Sequence, residues 1–170
     1  YHGSDIQDSL VEKDVDTLIS QIYKFAEENN CKIIIPIDVI VAKEVKKDIE
    51  TFSSSINDIK ENNMILDIGP KTIELIKKEL SSAKTVFWNG PAGVFEVPPF
   101  NIGTVEIAKH IAELSSKNFI KSFAGGGDTI AALEMANVKS KLSYISTGGG
   151  ALLELLEGRK LPGLKALNIL

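Results

Sequence analysis

Two glycine triplets of similar design stand in the second half of the sequence. "FAGGGDTIAALEMA" covers residues 123–136, and "ISTGGGALLELLEG" repeats the arrangement over residues 145–158. Each triplet stands where an apolar strand pattern passes into an apolar helix pattern. A glycine costs about 0.5–1 kcal/mol relative to alanine in ordered backbone, so two triplets require a compensating role.

The chemistry that suits such turns is anion binding. Ligands of open α/β sheets bind outside the carboxyl ends of the strands, where the chain enters the helices. Glycine allows a ligand to approach the main chain, and a helix N-terminus offers N–H groups with roughly half an elementary positive charge. We predict that the two turns lie on neighbouring strands and hold a polyphosphate, or a phosphate in transfer. A tight turn without a ligand is the alternative for each.

Asp128 and Thr129 follow the first triplet directly. Asp is a good N-cap and Thr an acceptable first-turn residue, and capping of about 1 kcal/mol explains both without a ligand. Mg²⁺ that accompanies a nucleoside polyphosphate is held by one or two carboxylates, waters and phosphate oxygens. Asp128 is therefore also a candidate metal ligand, and the two roles can coexist.

A third unusual stretch, "VFWNGPAGVFE", covers residues 86–96. It ends a predicted strand at Asn89 and places Glu96 in the following loop. Glu96 is a candidate acceptor for ribose hydroxyls, with a solvated carboxylate as the alternative. Phe87 and Trp88 are predicted to lie in the core.

Two further segments carry polar or ring-facing features. "LDIGP", residues 66–70, is the end of a predicted strand followed by a Gly-Pro break before the next helix. This segment could pack against one side of a flat ring. Asp38 interrupts an apolar run in "PIDVIV". A buried carboxylate needs partners, so we expect Asp38 to accept backbone hydrogen bonds or to face the site from a strand end.

The single cysteine, Cys31, excludes an internal disulfide and suits a reducing compartment. Its place in "NNCKIIIP" predicts a buried, inert thiol at the start of a strand. A catalytic pair with His2 or His110 is the formal alternative. His110 stands on a helix pattern and is expected at the surface or half-buried.

The elements that must position these residues alternate regularly along the chain. Helices of about 10–15 residues between short apolar runs are typical of one α/β domain, with a parallel sheet covered on both faces. We predict strands at 31–42 (one, or two abutting), 64–70, 84–91, 118–127 and 142–150, and helices at 11–30, 71–83, 101–116, 128–136 and 151–158. The polar residues 43–63 are predicted to form turns and edge structure.

Composition excludes several classes of protein. The 170 residues are 44% hydrophobic and 25% charged, which is ordinary for a soluble globular domain. The net charge is -4, and the charged residues are spread along the sequence without a basic block. The sequence therefore gives no sign of a basic surface for nucleic acid or an anionic membrane. No segment has the length of a membrane span or the pattern of an export signal. Arg159 is the only arginine, which argues against an arginine clamp for a polyanion.

At this point the sequence resembles a known family. "VFWNGPAGVFE", "GGGDT", "STGGGA" and "LEGRKLPGL" occur in the order and at the spacing of the carboxyl-terminal domain of phosphoglycerate kinase, and "PIDVIVA" and "LDIGPKTIE" resemble it too. The similarity covers essentially the whole chain. Several long motifs in a fixed order are more specific than a single glycine motif.

The resemblance implies a three-layer, Rossmann-like nucleotide-binding domain over residues 1–170 of a two-domain hinge kinase. The implied reaction moves a phosphoryl group reversibly between 1,3-bisphosphoglycerate and MgADP, giving 3-phosphoglycerate and MgATP in glycolysis. The family is usually a cytoplasmic monomer.

The resemblance also assigns residues to the site. Those implied to contact the nucleoside are Leu66 on the adenine, Asn89, Pro91 and Val94 as lining, and Glu96 on the ribose hydroxyls. Those implied to hold the phosphates are Gly126, Gly127, Asp128 (with Mg²⁺), Thr129, Gly148, Gly149 and Gly150, of which Gly127, Gly149 and Gly150 are the implied catalytic residues.

Departures from the family pattern limit this expectation. The amino-terminal domain with its glycerate site and catalytic arginine is missing, as is the first strand of the nucleotide domain with its lysines. We therefore expect this chain alone to bind nucleotide at most, to lack turnover, and to expose apolar sheet surface that favours association. The alternatives are a non-catalytic nucleotide-binding remnant and a dinucleotide-dependent oxidoreductase. The second expects a GxGxxG spacing that neither triplet has.

Overall fold

The computed structural model describes residues 6–10, 12 and 14–168. The helices and strands are, in chain order, α1 (Asp16–Glu28), β1 (Asp38–Ala42), β2 (Phe52–Ser55), β3 (Met64–Ile68), α2 (Pro70–Ser82), β4 (Thr85–Asn89), α3 (Ile102–Ser116), β5 (Lys121–Gly125), α4 (Gly127–Met135), β6 (Tyr144–Ser146), α5 (Gly149–Leu156) and α6 (Pro162–Ala166). The chain divides into two compact units. The first extends to Ile76 and includes Ala92–Gly103, and the second comprises Lys77–Pro91 and the chain from Thr104 onward.

The first unit is built on an antiparallel sheet in the order β2-β1-β3. Its central strand is covered on both faces, which explains the unbroken apolar pattern of β1. Val39 and Val41 are buried with Ile59 on one face, whereas Ala42 packs with Phe100 on the other. The prediction of a parallel strand here is wrong, because a strand buried on both faces has the same apolar pattern in either orientation.

The segment before β1 also differs from the prediction. Residues 31–37 form no strand, and pairing begins only at Asp38. Pro36 lacks the N–H that a ladder requires, so the apolar residues before it are not continued into the sheet. Cys31 is consequently exposed rather than buried. The predicted edge structure among residues 43–63 is confirmed as the short strand β2.

The first helix is confirmed as amphipathic, but it contributes nothing to the core. None of its residues is buried, and its apolar stripe, formed by Leu18, Ile22 and Phe25, is exposed. Val11, which the pattern also assigned to this helix, lies outside the described residues. The periodicity therefore predicted the helix correctly and gave no information about what it packs against.

The second unit contains a parallel sheet in the order β4-β5-β6. Trp88, Ala124 and Ile145 lie in register on one face, and they pack with Ala108 of α3 and Leu133 of α4. This is the parallel sheet with helices that the sequence predicts. Alanines at 108 and 124 allow the helix and the strand to approach closely.

The opposite face of this sheet is aromatic and partly open. Phe123 and Tyr144 lie side by side with ring centroids 6.2 Å apart, and Phe87 is also exposed. Helix α5 reaches this face at the end of β5, where Leu152 lies beside Gly125. The expectation that Trp88 belongs to the core is confirmed, whereas that for Phe87 is wrong. Both are aromatic, but adjacent strand residues point to opposite faces.

Hydrogen bonds among three serines connect the amino ends of β5 and β6 and helix α3. The Ser122 and Ser143 side chains each accept the other residue's N–H, at 3.0 and 3.1 Å, and the Ser122 hydroxyl donates to Ser115 Oγ on α3 at 2.8 Å. These bonds fix the register of the two strands at the end opposite the glycine turns. Within the described part of the chain, no helix combines the length and the apolar character needed to span a bilayer.

Candidate functional site

The two glycine turns touch at the carboxyl ends of β5 and β6. A Cβ added to Gly149 would lie 2.3 Å from the backbone nitrogen of Gly126 and 2.6 Å from its Cα. Two backbone segments can approach this closely only if residue 149 has no side chain. The prediction that both turns lie on neighbouring strands at one edge of a parallel sheet is confirmed.

Each turn presents a helix N-terminus without a side-chain cap. Helix α4 follows Gly126, whose φ of +95° suits only glycine, and α5 follows Gly148. The first bonds to these N-cap carbonyls come from Ile130 and Leu152, so the N–H groups before them have no intrahelical acceptor. Such N–H groups at a helix N-terminus are ready donors to an anion.

The structure tests one of the two roles considered for Asp128, the capping role. Asp128 is the second residue of α4 rather than its N-cap, and no side chain caps this helix. The capping role is therefore wrong. The carboxylate is exposed beside the glycine turn, and a negative side chain in the first turn suits the helix dipole.

A metal ion would find one carboxylate here rather than a complete set of ligands. No group of three His, Cys, Asp or Glu residues that could hold a metal occurs in the described ranges. Mg²⁺ characteristically uses one or two carboxylates and completes its octahedron with waters and phosphate oxygens. Asp128 therefore fits Mg²⁺ that arrives with a polyphosphate, and it does not fit a metal site made of protein ligands alone.

Thr129 is a buried residue in the first turn of α4, next to the first glycine turn. It is 1% exposed, and its hydroxyl accepts the N–H of Gly90 at 2.8 Å. The carbonyl of Gly90 accepts the indole N–H of Trp88, also at 2.8 Å. The structure thus places Thr129 as a link between α4 and the end of β4, a role that sequence reasoning missed.

Asn89 also belongs to this edge of the second unit. Its side-chain Oδ1 lies 3.0 Å from where a Cβ of Gly126 would be, so a side chain at that glycine would crowd the amide. Pro91 follows at the end of the same segment and is half-buried. Gly127 and Gly150 have nothing within 4 Å of an added Cβ and lie on the open side. The second unit therefore brings the end of β4 and both glycine turns together.

The predicted nucleoside-binding residues of the first unit lie around the end of β3. The Val94 N–H donates to the carbonyl of Leu66 at 2.8 Å, and Val94 packs beside the buried Phe100. Glu96 is exposed on the same loop. The Leu66 side chain is 4% exposed and packs in this core with Val94.

Asp67 is a functional candidate that sequence reasoning did not single out. It is 2% exposed at the end of β3, and its carboxylate accepts the N–H of Gly103 and of Ile68, each at 2.8 Å. Burial raises the pKa of Asp67 to about 6, although the N–H groups of Gly103, Ile68 and Ile102 act in the opposite direction. The available signal was a carboxylate inside "ILDI", the same kind of signal that marked Asp38.

Asp38 confirms the expectation of backbone partners. Its carboxylate accepts the N–H of Lys71 at 3.0 Å and of Thr72 at 2.7 Å, and the Thr72 hydroxyl donates to it as well. Burial alone would raise the pKa of Asp38, but the hydrogen bonds from Thr72 and Lys71 outweigh it and hold that pKa below its usual value. Asp38 thus holds the N-terminus of α2 on β1.

The alternative of a cysteine nucleophile gains no support. His110 is half-buried as expected, and its Nε2 lies 3.1 Å from the Lys77 carbonyl and 3.0 Å from Ser81 Oγ. The ring therefore joins α3 to α2. His2, the other suggested partner of Cys31, lies outside the described residues.

Comparison with known proteins gives consistent matches. The family model described as phosphoglycerate kinase matches residues 1–159. The chain is 45% identical to phosphoglycerate kinase from Xanthobacter flavus over 166 residues, which are 98% of this chain and 42% of that protein. It is 46% identical to phosphoglycerate kinase from Chloroflexus aurantiacus (strain ATCC 29366 / DSM 635 / J-10-fl), again over 98% of this chain and 41% of that protein.

Solved structures give the same result. Phosphoglycerate kinase from Coxiella burnetii superposes with a TM-score of 0.90 at 40% identity, covering 98% of this chain and 42% of that one. The enzyme from Pyrococcus horikoshii OT3 gives a TM-score of 0.69 at 30% identity, with 98% and 41% covered. The chain therefore spans about two fifths of the length of the relatives that it matches.

Proposed function

This chain belongs to the phosphoglycerate kinase family, and we propose on that premise that it is the nucleotide-binding part of such an enzyme. The proposed reaction of the complete protein is reversible transfer of a phosphoryl group between 1,3-bisphosphoglycerate and MgADP, giving 3-phosphoglycerate and MgATP. The cytoplasm and a monomeric state are what the resemblance implies for the complete protein, and both stay predictions.

The glycine turns of the second unit are proposed to bind the phosphates. The N–H groups at the start of α4, at Gly127 and Asp128, donate to the nucleotide phosphates. Those at the start of α5, at Gly149 and Gly150, donate to the phosphoryl group in transfer, with Gly126 and Gly148 allowing close approach. Phosphoryl transfer needs little covalent participation by the protein, so positioned donors can supply much of the stabilisation.

Asp128 is proposed to hold Mg²⁺ through its exposed carboxylate. When bound, the ion neutralises negative charge on the phosphate oxygens. Thr129 acts indirectly, because its hydroxyl fixes Gly90 and thereby the position of Asn89 and Pro91 at the end of β4. We assign Asn89 and Pro91 the role of lining the nucleotide site.

The loop of the first unit is proposed to contact the nucleoside. Glu96 accepts hydrogen bonds from the ribose hydroxyls, which suits an exposed carboxylate on an ordered loop. Val94 contributes apolar surface to the adenine, and Leu66 supports Val94 from the core.

The observation that carries the proposal is the contact between two uncapped helix N-termini beside an exposed carboxylate. A calorimetric titration of MgADP into this chain tests it. We expect saturable binding that weakens in Asp128→Ala, and weakens similarly when Mg²⁺ is omitted. Glu113→Gln is the matched control, because Glu113 is an exposed carboxylate of the same unit that pairs with Lys117. Absence of binding by a folded chain, or equal losses in both variants, would refute the proposed role.

A further inference from the structure

We propose that Asp67 is the positioning residue for nucleoside recognition: its carboxylate fixes both ends of the loop that carries Glu96. This inference rests on the proposed nucleotide-binding function of that loop. Asp67 itself touches no nucleotide in this scheme. It acts through the backbone of residues 92–103, here called the Glu96 loop.

The far end of the Glu96 loop is held by hydrogen bonds. Ile102 and Gly103 are the first residues of α3, and Asp67 Oδ2 accepts the Gly103 N–H at 2.8 Å. A Cβ on Gly103 would lie 2.5 Å from Asp67 Oδ1, so the helix start lies directly against the carboxylate. A negative charge at this position also suits the N-terminal end of the helix dipole.

The near end of the loop passes close to the same side chain and is hydrogen-bonded to the residue before it. Gly93 has a φ of +65°, and a Cβ there would lie 2.7 Å from Asp67 Oδ1 and 2.5 Å from the Leu66 carbonyl oxygen. The next residue, Val94, donates its N–H to that Leu66 carbonyl at 2.8 Å. The Asp67 carboxylate therefore accepts a hydrogen bond from the far end of the loop and lies close to its near end, on either side of Glu96.

Between these two ends the loop follows a series of tight turns. Val97 donates its N–H to Val94, and Phe100 donates its N–H to Val97. Phe100 is fully buried beneath them. With both ends fixed and a buried anchor in the middle, the exposed Glu96 has little freedom to move with its backbone. A shift at either end changes where its carboxylate points.

The charge state of Asp67 provides a second way to test the same role. Burial raises its pKa to about 6, and no neighbouring charged group is among the causes of that shift. The charged or titratable residues of β1, the loop and α3 are not among those causes; they are Asp38, Glu96, Glu106, Lys109, His110 and Glu113. Protonation weakens the bonds from these N–H groups but also removes the cost of burying a charge, so the state of the loop should change as pH passes through about 6.

Adenosine is the probe for the test, because it lacks phosphates and so does not depend on the glycine turns proposed to bind them. The variants are Asp67→Asn, Glu96→Gln and both together, with Asp38→Asn as the matched control. Asp38 is a buried carboxylate of the same unit, but it holds α2 rather than the loop. We expect Asp67→Asn to weaken adenosine binding by about 2-fold to 30-fold, the range for changes transmitted through packed networks.

Two results distinguish positioning from general stability. In the Asp67→Asn background, Glu96→Gln should cost little further affinity, whereas in the Asp38→Asn background it should cost as much as in the parent chain. Without ligand, amide exchange of Val94 and Gly103 should quicken in Asp67→Asn and stay unchanged in Asp38→Asn. Independent, additive losses together with unchanged exchange would overturn the proposal.

A titration on a chain that retains Asp67 covers the case in which Asp67→Asn does not fold. The adenosine affinity of the His110→Gln chain, which removes the histidine of α3, should change as pH passes through about 6. A flat profile would overturn the proposal. If the parent chain binds neither adenosine nor MgADP, the proposed function fails, and amide exchange of residues 94 and 103 across the same pH range still decides whether Asp67 holds the loop.

Discussion

Replacing Gly149 by alanine should push the two glycine turns apart. The added Cβ would lie 2.3 Å from Gly126 N, whereas ordinary contact begins at 3.4 Å, so one backbone must move by about 1.1 Å. The neighbouring atoms are backbone and cannot rotate away. Overpacking of this kind costs about 1–3 kcal/mol.

Gly150→Ala is the matched control for this clash. Gly150 is the next residue of α5, and an added Cβ there meets nothing within 4 Å. Both substitutions gain the same helix preference of alanine over glycine, about 0.5–1 kcal/mol. The difference in unfolding free energy between the two variants therefore isolates the clash, at about 1–3 kcal/mol.

Urea unfolding followed by circular dichroism measures this difference. We expect Gly150→Ala to match or exceed the parent chain in its midpoint and Gly149→Ala to fall below it, with similar slopes. Amide exchange should quicken at Gly126 only in Gly149→Ala. Equal midpoints for the two variants would show that the turns do not touch, and the reasoning about the phosphate site would lose its geometric basis.

Three further predictions concern the same two units. Thr129→Val should cost about 0.5–1.5 kcal/mol in urea unfolding, because the hydrogen bond from the Gly90 N–H is lost. Amide exchange at residue 90 should then quicken, and unchanged exchange would contradict the bond. The folded-state pKa of Asp38 lies below its unfolded value, so its contribution to stability is complete above about pH 4 and is lost as pH falls through the lowered pKa. The stability gap between the parent chain and Asp38→Asn should accordingly close on acidification in pH-dependent urea unfolding, and a gap independent of pH would count against it. Finally, this chain mixed with 1,3-bisphosphoglycerate and MgADP should give only background turnover in a coupled assay, because a single arginine cannot form a polyanion clamp. Turnover like that of a complete enzyme would refute this prediction.

The parts of the fold that the sequence predicted well are those with unambiguous periodicity. Helices α2 to α5 and strands β4 to β6 lie where the pattern placed them, because each apolar run is bounded by glycine, proline or a polar turn. The parallel pairing of β4, β5 and β6 followed from the helices between them. For this unit, local pattern and tertiary packing favour the same structure.

The first unit was harder to predict because its signals are shared by different structures. Residues 31–42 form one apolar run, yet only the part after Pro36 pairs. Strand β2 is rich in serine and exposed, and its polarity predicted an edge position without indicating which strand it pairs with or in which direction. Sheet orientation depends on these distant pairings, which no local pattern records.

The candidate site shows the same division. The glycine triplets led to the prediction of two turns on neighbouring strands, which is confirmed, and of an anion site there, which stays a prediction. Sequence could not reveal that Thr129 turns inward to Gly90, or that Asp67 contacts both ends of a loop almost thirty residues further along the chain. Both contacts depend on the tertiary packing of one helix or strand against another, which local sequence does not determine.

Trp88 gives the molecule an optical reporter of its own. It is the only tryptophan in the chain, so indole emission arises from one place. Its ring packs against the core of the second unit, and its N–H is bonded to the carbonyl of Gly90, whose own N–H is held by Thr129. Any event that displaces this strand end alters the polarity around the indole. Rapid-mixing fluorescence on the unlabelled chain can therefore test, in real time, whether an anion arrives at the neighbouring glycine turn as proposed.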